Sequence, residues 1–77
     1  MSTWPEVLKK LAPGLDPRHV EAYLRLQYGT LGELSQARIK FEVENGGPDG
    51  SIRDAILEDP EGAEELAQTY NLYKETA

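Results

Sequence analysis

Apolar residues recur along this chain with the period of short helices. Trp4, Val7, Leu8 and Leu11 stand at i, i+3, i+4 and i+7, one face of a helix. Thr3 and Glu6 fit a capping box at its start, Pro5 suits a first helical turn, and Pro13-Gly14 ends it. Asp16-Pro17 opens a second helix, with the aspartate as N-cap and the proline as first helical residue. Val20, Tyr23, Leu24 and Leu31 are expected on its inner face, with Leu26 and Tyr28 widening the stripe. Gly29 is the expected stop, in a left-handed conformation.

Thr30 to Leu34 reads as a connector, and Ser35 as the cap of a third helix running to about Asn45, where Asn45-Gly46-Gly47 closes it. Two periodicities compete here. Ile39, Phe41 and Val43 alternate with Lys40, Glu42 and Glu44, which is the period of a strand. A strand without a partner leaves its backbone groups unpaired, so residues 36–45 are read as helix. Asn45 to Gly50 is a turn-rich hinge. Ser51 and Asp54 offer a further cap, ahead of Ile52, Ala55 and Ile56 on one face. Asp59-Pro60 repeats the earlier start signal and requires a break, because proline inside a continuous helix clashes with the preceding turn. Ala63, Leu66, Ala67 and Tyr70 supply a last face. Asn71 is the expected cap, Leu72 folds back behind it, and residues 71–77 form a frayed tail.

The expectation is therefore an all-α fold: one domain over residues 1–77, a compact bundle of four to five short helices. The expected core runs through Trp4, Val7, Leu8, Leu11, Val20, Tyr23, Leu24, Leu31, Leu34, Ile39, Phe41, Val43, Ile52, Ile56, Leu66 and Tyr70. With 77 residues, 39% hydrophobic and 29% charged, the chain can bury one small core and favours folding over disorder. It has no cysteine, so no disulfide or thiolate metal site can brace it. No apolar run suggests a signal peptide or a membrane span, and the expected compartment is the cytoplasm.

Charge divides the chain. Residues 1–48 hold six basic and six acidic side chains; residues 49–77 hold two basic and eight acidic, so the whole net charge of −6 lies in the C-terminal third. Such a surface repels nucleic acid and anionic membrane and attracts basic partners. Asp54, Glu58, Glu61 and Glu65 step by four, three and four, and line one side of the last two helices if these are collinear; Asp59 and Glu64 flank them. Solvation alone accounts for many such faces. The functional reading is a docking surface for a basic protein, with nucleic-acid mimicry as a special case.

Catalytic and cofactor chemistry find little footing. His19 is the one histidine, placed in the first turn of the second helix, where an exposed polar side chain is ordinary. Ser2, Ser35 and Ser51 lack a nucleophile-elbow context. Asp49-Gly50-Ser51-Ile52 echoes a calcium loop, but that register puts Ile56 where the bidentate glutamate belongs. Zinc has neither cysteine nor paired histidine, and the glycines at 46, 47 and 50 lack a following Lys-Ser/Thr pair. No enzyme activity, cofactor or metal is expected.

Tyr23 and Tyr70 fall on predicted core faces, whereas Tyr28 and Tyr73 lie near helix ends, free for a partner. The segment Arg18 to Leu31, RHVEAYLRLQYGTL, resembles short bacterial and phage open reading frames. That resemblance implies a phage or mobile-element setting and no activity. The expected function is a small acidic, non-enzymatic protein-binding module, an inhibitor or regulator, contacting its partner through Asp54, Glu58, Asp59, Glu61, Glu65, Tyr28 and Tyr73. One alternative is a helix-turn-helix-like DNA-binding regulator over Val20 to Val43, with Ser35 opening a recognition helix that carries Gln36, Arg38 and Lys40, against which stand Glu42, Glu44 and the net charge. Another is a self-associating structural or assembly protein.

Overall fold

Five helices account for the architecture: α1 Trp4–Leu11, α2 Pro17–Tyr28, α3 Glu33–Glu44, α4 Ser51–Glu58 and α5 Pro60–Thr69. The computed structural model describes residues 3–46, 50–70 and 72. Strand is absent from the described residues, and 36–45 is helix through Glu44.

The start signals work locally as expected. Glu6 accepts from the Thr3 N–H at 3.4 Å. The Asp16 carboxylate accepts from the Arg18 N–H at 3.0 Å, and that of Asp59 from the Gly62 N–H at 3.0 Å, each satisfying an orphan donor behind a proline at the first helical position. Gly62 has no side chain to crowd the Asp59 carboxylate; a Cβ there would collide with it. The break at Asp59 is real: α4 ends at Glu58 and α5 begins at Pro60.

Three boundaries differ from expectation. Gly32, not Ser35, precedes α3, because its extended backbone lets Glu33 enter the first turn while the Gln36 amide donates back to the Leu31 carbonyl at 2.9 Å. Ser51 is the first residue of α4 rather than its cap, a position held by Gly50. Gly29 does end α2, with φ +82° and ψ −76°, but this is a γ-turn and not a left-handed helical cap. Tyr28 C=O accepts from the Thr30 N–H at 3.1 Å across it, a geometry that suits glycine. At the chain's other end, Leu72 N–H donates to the Ala67 carbonyl at 2.8 Å, the six-to-one bond of a Schellman closure. The expected Asn71 cap, Asp49 and Tyr73–Ala77 lie outside the described residues.

Helix α2 is the hub, packed against α1, α4 and α5; α3 lies on α1, and α4 touches α5. Val7, Leu8, Ala12, Val20, Leu24, Ile39, Ile52, Ile56 and Ala63 form the core, with Trp4, Leu11, Tyr23, Tyr28, Leu31 and Val43 closing its edge. Trp4 also donates its indole N–H to Glu21 at 2.9 Å, pinning α1 to α2. Alanines at 12, 22, 63 and 67 are fully buried, which lets helices approach closely. Leu34 and Phe41, expected inside, are exposed, as is Leu26. The reason is one of direction: α3 turns Ile39 and Val43 toward the core, and a helix cannot turn Phe41 the same way. Leu31 lies beyond the end of α2 and reaches the core edge from the connector.

Leu24 and Leu26 separate core from surface within one helix. Leu24→Ala removes a buried side chain and is expected to cost about 2–5 kcal/mol, most of the stability of so small a domain. Leu26→Ala is expected to stay within about 0.5 kcal/mol of wild type. Urea unfolding followed by circular dichroism measures both.

Candidate functional site

The densest polar constellation joins the start of α2 to α5. Asp16, already the cap of α2, accepts from Arg18 Nε at 3.2 Å and from Nη2 at 2.7 Å. The same guanidinium grips Glu64 with two nitrogens, Nη2 to Oε1 at 2.8 Å and Nη1 to Oε2 at 3.2 Å, a bidentate pair. Nη1 also donates to the Leu72 carbonyl at 3.1 Å. His19 Nε2 lies 3.1 Å from Glu64 Oε1, and its side chain is 14% exposed. His19 was expected to be exposed; the packing of α5 across α2 covers it.

This setting fixes charge. Hydrogen bonds from Arg18, then from His19, hold the Glu64 carboxyl down at about 2, below its ordinary 4.5. Burial pushes the Asp16 carboxyl up, but the hydrogen bonds from Arg18 outweigh it and the net shift is downward. Arg18 is held more firmly protonated by Glu64 first and Asp16 second.

Asp16, His19 and Glu64 each offer a donor atom within 4.8 Å of the others, the spacing of a metal centre. The Arg18 guanidinium, however, bonds both carboxylates. A cation is thus already in place, and a metal ion would have to displace it against charge repulsion. The cluster reads as a clasp between helices. Arg25 makes a smaller tie of the same kind, its guanidinium carbon 6.0 Å from the centre of the Tyr70 ring. Its Nε is buried without a hydrogen-bond partner.

The predicted docking residues lie elsewhere. Asp54, Glu58, Asp59, Glu61 and Glu65 are all exposed. On α4, Asp54 and Glu58 stand about 200° around the helix from Ile52 and Ile56, the buried pair. On α5, Glu61 and Glu65 stand about 200° from buried Ala63 and Ala67. Each pair therefore points away from the core of its own helix. Glu64, expected beside them, is committed to Arg18. Tyr28 is half-buried against the core edge, so only part of it faces outward; Tyr73 is outside the described residues.

On α3, Gln36 is engaged with Leu31, Arg38 lies 3.4 Å from Glu42, and Gln36 and Arg38 project about 200° apart. The same helix carries two residues of the expected core on its outside: Leu34 is 88% exposed and Phe41 67%. A shallow open groove between α2 and α4 is lined by Tyr23, Leu26, Gln27, Ser51, Ile52 and Ala55. Among the described residues no helix is long and apolar enough to cross a membrane. No protein-family model, curated protein or solved structure matches the chain.

The clasp has a pH signature. Because the folded pKa of Glu64 lies below its unfolded value, the unfolded chain binds more protons between those two pH values. The stabilisation is complete above pH 4.5 and is lost as pH falls toward 2. Asp16 acts in the same direction. Arg18→Gln is expected to lower the urea midpoint at pH 7 and to flatten its fall through this acid window. A variant with the wild-type acid limb would contradict the clasp.

Proposed function

We propose that this protein is a small non-enzymatic binding module that engages a basic surface on another protein through the outward carboxylates of α4 and α5. One observation carries the reading. Asp54, Glu58, Glu61 and Glu65 are exposed, opposite the buried face of their helix, and none joins a salt bridge among the described residues. By contrast, Asp16 and Glu64 are both paired internally with Arg18. Most of the net charge of −6 thus lies outside this cluster, and these four carboxylates are available for steering a cationic partner.

The non-enzymatic part rests on the commitment of the one histidine. His19 faces Glu64 inside the clasp, where it serves the junction of α2 and α5. A module of this size acts by occupancy, as an inhibitor or regulator covering a surface its partner needs.

The test separates a located face from net charge. Glu58→Lys with Glu65→Lys, and Glu33→Lys with Glu44→Lys, change the net charge equally. Each variant is used as bait in the native host's extract at low salt, with mass spectrometry of what is retained. The α4–α5 pair is expected to lose a basic protein that wild type and the α3 pair both retain. Equal retention by all three baits, or equal loss from both variants, would contradict a docking face on α4 and α5.

A further inference from the structure

The groove between α2 and α4 has apolar surface on both sides, from Tyr23 and Leu26 of α2 and from Ile52 and Ala55 of α4. Leu26 is 60% exposed and lies outside the core, yet it stands at the groove rather than alone on the surface. The groove holds about 190 Å³. An apolar space of about 150 Å³ accommodates a benzene ring, so one large apolar side chain fits. Sites for cofactors and drug-sized ligands run to roughly 300–1,000 Å³ and enclose most of the ligand, whereas this groove is shallow and open. Its size suits a single anchor projecting from a macromolecule.

We propose that the groove receives the apolar anchor of a basic amphipathic helix on the partner protein, and that Lys or Arg one turn from the anchor meets Asp54 and Glu58. The proposal rests on the acidic docking face described above and names what that face holds. Charge selects this occupant. Ser51 and Ala55 line the groove, and each has a carboxylate three residues on, Asp54 and Glu58. Residues so spaced are neighbours on a helix surface, about 5–6 Å apart at Cβ. Both carboxylates are exposed, and neither joins a salt bridge among the described residues.

The basic groups of the same two helices are turned elsewhere. Arg53 stands about 160° around α4 from both Ser51 and Ala55. Arg18 is held by Asp16 and Glu64, and Arg25 reaches the Tyr70 ring at the end of α5. Glu21, bonded to Trp4 of α1, stands about 160° around α2 from Tyr23. The charges flanking the groove on α2 and α4 are therefore acidic. A nucleic acid or an anionic membrane would set phosphates against them. An extended peptide finds no sheet edge to join among the described residues, whereas a helix brings its own backbone hydrogen bonds and offers an anchor and a cation at i and i+3 or i+4.

The probe is an alanine-based helical peptide with one central leucine and lysines three and four residues to either side. It is titrated at low salt into the full chain, and backbone amide shifts are followed by NMR. Binding is expected with a dissociation constant below about 1 mM, with the largest shifts at Leu26, Gln27, Ala55 and Glu58. Replacing the peptide leucine by glutamine is expected to weaken binding at least about fivefold. Leu26→Gln, which removes an apolar wall, and Ala55→Gln, which fills the groove, are expected to do the same; should Ala55→Gln alter the circular dichroism spectrum, Leu26→Gln decides alone. Asp54→Asn with Glu58→Gln is also expected to weaken binding. Absence of binding at the highest concentration overturns the proposal, as do shifts centred on Leu34 and Phe41. Binding that ignores the peptide leucine and Leu26 but needs Asp54 and Glu58 overturns the groove and leaves the acidic face standing. Binding that ignores Asp54 and Glu58, or that is equal for a peptide with glutamate in place of lysine, overturns both.

Discussion

Arg18 sits where three segments of the chain meet. Its guanidinium holds the cap of α2 through Asp16, the middle of α5 through Glu64 and the chain beyond α5 through the Leu72 carbonyl. A protein of this size buries little apolar surface, and α5 contributes mainly alanines to it. Small side chains allow close approach but supply little transfer energy. The clasp adds direction to that contact: it fixes how α5 lies across α2, and with it the outward heading of Glu61 and Glu65. Ion pairs near a surface are worth little when solitary, and more when bidentate and networked as here.

The clasp also sorts the carboxylates. Asp16 and Glu64 are spent on holding the fold, whereas Asp54, Glu58, Glu61 and Glu65 are turned to solvent. The helices α1 and α3, whose charges balance, carry the exposed Leu34 and Phe41, and α4 and α5 carry the excess of acidic groups.

Local chemistry made most of the helices legible. The pairs Asp16-Pro17 and Asp59-Pro60 act through neighbouring backbone groups, and the i, i+3, i+4, i+7 face of α1 is set by helix geometry alone. The clasp was not legible, because Arg18 and Glu64 are 46 residues apart and nothing local signals their meeting. The strand-like alternation of Ile39, Phe41 and Val43 has a simple origin. Ile39 and Val43 belong to the inner side of α3 and Phe41 to the outer, so two interleaved helical faces imitate a period of two. The spacing of Leu34, Ala37 and Phe41 was the available signal for the outer side, and assigning every large apolar residue to a single core concealed it. Ser35 misled for a related reason: a good capping residue was present, but Gly32 and the Gln36–Leu31 bond set the start of α3 earlier.

The placement of α5 rests on the grip of Arg18 on Glu64. The most direct measurement is the titration of the Glu64 side-chain carboxyl carbon by NMR in the intact protein. A midpoint near 2 is the expected result. A midpoint at the ordinary 4.5 would contradict the clasp, and with it the placement of α5 on which the acidic face depends.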